Sequence, residues 1–239
     1  MKLKELFEST GRSVADLNIG YKGGDFDCSD NELTSLEGAP SHVGGSFYCA
    51  HNKLTSLKGA PSHVGGYFDC STNELTSLEG APSRVDGYFN CNHNELASLK
   101  GAPSHIGASF YCRGNKLTSL EGAPSRVDGD FYCSSNKLTS LAGAPSHVGG
   151  GFSCSYNELT SLKDVHKHIA EMKGVLYASD NPIKSHVLGL LLIKGVTGVY
   201  LDDRRVTEIL NRHLGRGRAG MLMAQEELID AGLEECARL

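Results

Sequence analysis

Apolar positions along most of this chain follow neither the 3.6-residue period of a helix nor a long run of simple alternation. They fall into a fixed figure, Phe-x-Cys-x-x-Asn-x-Leu-x-x-Leu, seen in Phe47, Cys49, Asn52, Leu54 and Leu57, that returns every 21 residues. Phe26, Phe47, Phe68, Phe89, Phe110, Phe131 and Phe152 form one column, and Asn31 through Asn157 form another at the same interval. Between copies lies a stretch such as GAPSHVGG, whose Gly and Pro exclude a helix and predict an extended or turn-like return path. In the Phe-x-Cys segment, strand alternation points Phe47 and Cys49 inward and Ser46, Tyr48 and Ala50 outward. No single unit can bury its own apolar face. Stacking units about 4.8 Å apart in a parallel sheet joins like residues into ladders. The Asn column then predicts buried amides that satisfy backbone groups where the chain leaves the sheet.

This spacing resembles the leucine-rich repeat, with Phe and Cys in the two strand positions, over residues 19 to 201. The resemblance implies an α/β solenoid: a curved parallel β-sheet with short, mostly non-helical convex segments. The lettering GAP-S-x-V-x-G before the strand and N-x-L-T-S-L after it, with the ending QEELIDAGLEECARL, is similar to short leucine-rich repeat proteins of bacteriophage genomes. That similarity implies a place in an infected bacterial cytoplasm or a virion, and engagement of a host or phage protein as a natural role.

Beyond Asn157 the period lengthens while the pattern persists, with Leu176 and Ala178 before Asn181, then Val199 and Leu201. The intervening DVHKHIAEMKG and SHVLGLLLIKG are helical in composition and close on Lys-Gly, a C-terminal signal. The expected organisation is an N-terminal helical cap over 1–18, seven short repeats over 19–162, two longer helix-containing repeats over 163–201, and a C-terminal helical cap over 202–239. Caps are required because an open end exposes the core and an unpaired strand edge.

The residues that change from copy to copy are the outward ones. The middle strand position reads Asp27, Tyr48, Asp69, Asn90, Tyr111, Tyr132, Ser153, Tyr177 and Tyr200, and the position before Phe supplies Tyr67 and Tyr88. With Tyr156, two residues after Cys154, these columns hold eight of the nine tyrosines. Strand propensity alone does not explain why Phe keeps to the inward column and Tyr to the outward ones; a dry inner face and a wet outer face do. A concave face of Tyr, Ser, Asn and Asp has the composition of an antibody paratope. The expected partner is therefore a protein, with Tyr111, Tyr132, Tyr156 and Arg113 as central contacts and Tyr48, Tyr67, Asp69, Tyr88, Tyr177 and Tyr200 around them.

Composition narrows the alternatives. A net charge of −5 and a pI near 6.0 give no general attraction to nucleic acid or anionic lipid. The N-terminus has no apolar run of signal-peptide length, and VLGLLLI at 187–193 is far too short to span a bilayer, which points to a cytoplasmic protein. Seven of the eight cysteines belong to the repeat, where one thiol per parallel rung makes a line rather than a tetrahedral metal site. The return-path column His42, His63, Arg84, His105, Arg126 and His147 contains Arg, which is no metal ligand, so it reads as a solvated edge. Gly215, Gly217 and Gly220 spell G-x-G-x-x-G after a helical stretch rather than a strand, and read as a hinge between helices. Asp202, Asp203 and Glu208 interleave with the Arg residues of 204–218, giving a solvated cap face. Cys236 stands outside the ladder with no active-site motif around it and reads as a packing residue. No cofactor and no enzymatic activity are expected. The alternative role is a structural or virion-associated assembly protein acting through caps and edges.

Overall fold

The computed structural model describes Glu5 and residues 24–239, so the helical cap expected over 1–18 lies almost wholly outside the described residues. The chain divides into two compact units, one ending at Lys116 and including Gly122–Pro124, the other made of Leu117–Glu121 and Ser125–Leu239. Each is a parallel β-solenoid; its turns are 21 residues long in the first unit and lengthen to 24 and 23 at the end of the second, from Phe152 to Leu176 and from Leu176 to Val199, and little of either solenoid is helical.

In the first unit the front sheet consists of Phe26–Asp27, Phe47–Tyr48, Phe68–Asp69, Phe89–Asn90 and Phe110–Tyr111, stacked in chain order. Register places Phe on Phe at every rung. Successive rings stack with centroids 5.2 to 5.5 Å apart, set by the strand spacing rather than by choice of rotamer. Phe47, Phe68, Phe89 and Phe110 are fully buried with Cys49, Cys70, Cys91, Cys112 and the Leu columns. Burying each Phe contributes about 1.5–3 kcal/mol.

The return path is itself a second sheet. His42–Val43, His63–Val64, Arg84–Val85 and His105–Ile106 pair in parallel, with the aliphatic residue buried and the His or Arg turned outward. Two-residue strands are too short to announce themselves by alternation, and only stacking on the next turn makes them strands.

The second unit repeats this plan. Phe131–Tyr132, Phe152–Ser153, Val175–Tyr177 and Gly198–Tyr200 form its front sheet. Arg126–Val127, His147–Val148 and Glu171–Met172 form its rear sheet. Helix within the two longer segments is shorter than their composition predicts. Val165–His168 is one α-helical turn, after which Glu171–Met172 rejoins the rear sheet; Leu188–Leu192 is a 3-10 helix. Ladder bonds such as Ala170 N–H to the Ser146 carbonyl (3.0 Å) and Lys173 N–H to that of Val148 (3.1 Å) outweigh helix propensity here.

Two helices follow, Arg204–His213 and Gly217–Asp230. Asp203 caps the first by accepting from the N–H groups of Arg205 and Val206. The G-x-G-x-x-G glycines lie at this joint: Gly215 in the connection, Gly217 opening the second helix and Gly220 inside it. None of the described helices is long and apolar enough to cross a membrane.

Candidate protein-interaction faces

The Asn column fixes the outward residues in place. Asn52 accepts with Oδ1 from the Leu33 N–H at 2.8 Å and donates with Nδ2 to the carbonyls of Cys28 and Cys49 at 3.0 and 3.1 Å. Asn73, Asn94 and Asn115 repeat the pattern in the first unit, as does Asn157 in the second. Each amide ties two rungs together at the point where the strand ends. The Cys thiols add to this: Cys70 Sγ donates to the Asn90 carbonyl at 3.3 Å and Cys91 Sγ to that of Tyr111 at 3.2 Å.

On the outward side of the first unit, the ladder after Phe runs Asp27, Tyr48, Asp69, Asn90 and Tyr111 in register. The ladder before Phe runs Asp25, Ser46, Tyr67, Tyr88 and Ser109. Tyr67 and Tyr88 stack face to face with centroids 4.1 Å apart, and Tyr88 meets Tyr111 edge-on at 5.8 Å. Asn90 Nδ2 donates to Asp69 Oδ2 at 3.1 Å. Ser46 is buried under its neighbours; its N–H donates to Asp25 and its hydroxyl accepts from the Tyr67 N–H. Burial, and then the Asp69 charge, push the Tyr88 phenol up to about 12. Arg113 is exposed one residue past Cys112, its N–H donating to Asn92 Oδ1 at 2.7 Å.

In the second unit, Tyr132 donates to Asp130 Oδ2 at 3.2 Å, and Tyr177 stacks on Tyr200 at 5.3 Å with both rings largely exposed. Ser153, read as an outward residue, is buried beside Ser134, the two hydroxyls 2.8 Å apart.

Tyr156 differs from the sequence reading in kind. The position two residues after Cys is not part of the strand but a left-handed turn: His51, Thr72, His93, Ser135 and Tyr156 have φ between 53° and 56°, and Gly114 has φ 68°. Tyr156 is 59% exposed from this turn. Of the expected central contacts, Tyr111 and Arg113 belong to the first unit and Tyr132 and Tyr156 to the second.

Among the described residues no group of three His, Cys, Asp or Glu is placed to hold a metal ion. Of the rear His and Arg residues, His63, Arg84, Arg126 and His147 instead meet carboxylates. Asp86 receives His63 at 3.0 Å and Arg84 at 2.6 Å, and the His63 hydrogen bond holds its carboxyl below the usual range. Cys236 is buried, its Sγ donating to the Lys184 carbonyl at 3.4 Å, and burial raises its thiol.

No protein-family model and no curated protein sequence matches this chain. Among solved structures it is similar to YopM from Yersinia enterocolitica WA-314, at 19% identity and a TM-score of 0.43, over 74% of this chain and 52% of that one. The match thus spans about half the length of that protein.

Proposed function

We propose that this protein is a non-enzymatic scaffold that binds another protein, of host or phage origin, through the Tyr-bearing outward faces of its front sheets. The observation that carries this reading is the Tyr67–Tyr88 stack, which holds large aromatic surface at a solvent-facing position, with Tyr67 44% exposed. Rings immobilised before binding add contact area at little entropic cost, the property that makes Tyr the principal paratope residue. Tyr48, Asp69, Tyr111 and Arg113 extend this face in the first unit; Tyr132, Tyr156, Tyr177 and Tyr200 serve in the second. The test is affinity capture from bacterial lysate with wild type, Tyr67→Ala/Tyr88→Ala and Tyr177→Ala/Tyr200→Ala, all matched for strand content. A protein retained by wild type and lost from either variant supports the reading. Identical capture by all three removes it.

A second reading, assembly into a particle through the cap, is favoured by one observation. Leu222, Met223 and Ile229 stand about half exposed on the helix Gly217–Asp230. It predicts concentration-dependent oligomers that Leu222→Ser/Ile229→Ser abolishes and the Tyr variants leave intact.

A further inference from the structure

The two outward ladders of the first unit combine aromatic rings with carboxylates that meet no counter-charge among the described residues. Asp25 accepts from the Ser46 N–H at 2.7 Å, Asp27 from the Ser29 N–H at 2.9 Å, and Asp69 from the Ser71 N–H at 2.9 Å and the Asn90 amide. All of these donors are neutral. Among the described residues no Lys, Arg or His forms an ion pair with any of the three. Three acids off this face do meet a cation: Asp86 faces Arg84 and His63, Glu32 faces Lys53 at 3.3 Å, and Glu95 faces Lys116. Glu74 and Glu79, outside the strand columns, likewise have no ion pair among the described residues; Asp25, Asp27 and Asp69 differ from them in standing on the face that carries Tyr48, Tyr67 and Tyr88. The one Arg in the outward columns, Arg113, belongs to the fifth rung, while Asp25 and Asp27 belong to the first and Asp69 to the third.

Two features of this arrangement select the same chemistry. The π-face of a Tyr ring is electron-rich and attracts Arg or Lys. Carboxylates already fixed by backbone N–H groups accept charge-assisted hydrogen bonds without further ordering. Register alternates the two kinds of group along the sheet, Asp27, Tyr48 and Asp69 occupying successive rungs about 4.8 Å apart. An acidic partner is repelled by the same groups.

We propose that the first unit's outward face takes a basic peptide segment of the partner, its Arg or Lys side chains seated among Tyr48, Tyr67, Tyr88 and the carboxylates of Asp25, Asp27 and Asp69. This rests on the scaffold reading above and states the charge of what the scaffold grips.

The test uses the full chain and a fluorescently labelled peptide alternating Arg with Gly and Ser, beside a copy with Glu in place of Arg, read by anisotropy at low and physiological salt. The Arg peptide is expected to bind, more weakly as salt rises, and the Glu copy to stay free. Asp27→Asn/Asp69→Asn keeps the carbonyl acceptors and is expected to weaken binding about tenfold; Tyr67→Ala/Tyr88→Ala should weaken it about fivefold or more. Glu74→Gln/Glu79→Gln removes the same charge outside the strand columns and should change affinity less than about twofold. Failure of the Arg peptide to bind, or equal losses in the Asp and Glu variants, overturns the proposal. Should the Tyr variant lose its lysate partner while every variant treats the Arg peptide alike, the scaffold reading stands and the basic-segment proposal falls.

Discussion

The side-chain amide of Asn73 donates to the carbonyl of Cys49, one rung away, at 3.0 Å, while its oxygen accepts from the Leu54 N–H at 2.9 Å. One buried side chain thereby reaches four backbone groups, the others being the Cys70 carbonyl at 3.1 Å and that of Ser71 at 3.3 Å. Asn73→Ala leaves the Leu54 N–H without its partner, at about 1–3 kcal/mol, while the Cys49 and Cys70 carbonyls keep the amides of Asn52 and Asn94, so an overall loss of about 2–3 kcal/mol is expected in urea unfolding. Asn73→Asp keeps the acceptor but none of the three donations, and brings a carboxylate against three carbonyls; it should be no better than Ala. A loss below about 1 kcal/mol for either would mean that water reaches the strand ends and that the amide ladder is dispensable.

The amide ladder and the inward columns were legible because strict period-21 recurrence leaves Phe, Cys, Asn and Leu no other shared role. The rear strands were not. His63–Val64 has no alternation to detect, and becomes a strand only because Val43 and Val85 lie beside it in register. The left-handed turn after Cys was hidden because its occupants include His, Thr and Tyr; only Gly114 and Asp30 have the residue types that such a turn favours. Reading Tyr156 as part of a strand face followed from that. The unpaired state of Asp25, Asp27 and Asp69 depends on which cations stacking brings near, which column order alone does not give.

Burial inside the rungs shapes how the protein responds to alkali. The thiols of Cys28 and Cys154 are pushed up to about 12, with burial as the largest cause, against an ordinary value near 9. As pH climbs past 9 the unfolded chain releases these protons and the folded chain keeps them. Stability is fully present below about pH 9 and is lost as pH rises toward 12. Urea midpoints between pH 8 and 10.5 should fall more steeply for wild type than for a Cys28→Ala/Cys154→Ala variant; parallel curves would show that other groups govern the decline. Below pH 9 the ladder thiols should alkylate at least about a thousandfold more slowly in the native protein than in denaturant.

Gly220 in the helix Gly217–Asp230 lies tight against the end of the helix before it. A Cβ there would lie 2.4 Å from the carbonyl oxygen of His213, the last residue of the preceding helix, and 2.7 Å from the Arg216 Cβ. Ala gains about 1 kcal/mol of helix propensity over Gly, while forcing backbone apart costs up to about 3 kcal/mol. Gly220→Ala is therefore expected to lower stability by about 1–2 kcal/mol in thermal denaturation, and to disturb His213, whose Nε2 lies 2.8 Å from Glu227 Oε1. Stabilisation by this substitution would mean that the helix joint yields freely.

The left-handed turn sets stability against contact surface at two positions. Thr72 has φ 53° and Tyr156 φ 56°, a region that costs an L-residue about 1–2 kcal/mol and suits a β-branched one least. Asn tolerates this conformation without the extra unfolded-state entropy of Gly, so Thr72→Asn should raise stability by about 0.5–1 kcal/mol. Tyr156→Asn relieves the same strain and should stabilise by a similar amount, since an exposed ring has little packing to lose. The two variants part company in binding. Thr72→Asn should leave lysate capture unchanged, whereas Tyr156→Asn should weaken it if the ring is held in its strained turn for the partner. A Tyr156→Asn protein that is more stable and captures as well as wild type would confine the second unit's contribution to Tyr132, Tyr177 and Tyr200. A protein that is less stable would show that the ring packs against its neighbours strongly enough to outweigh the backbone strain.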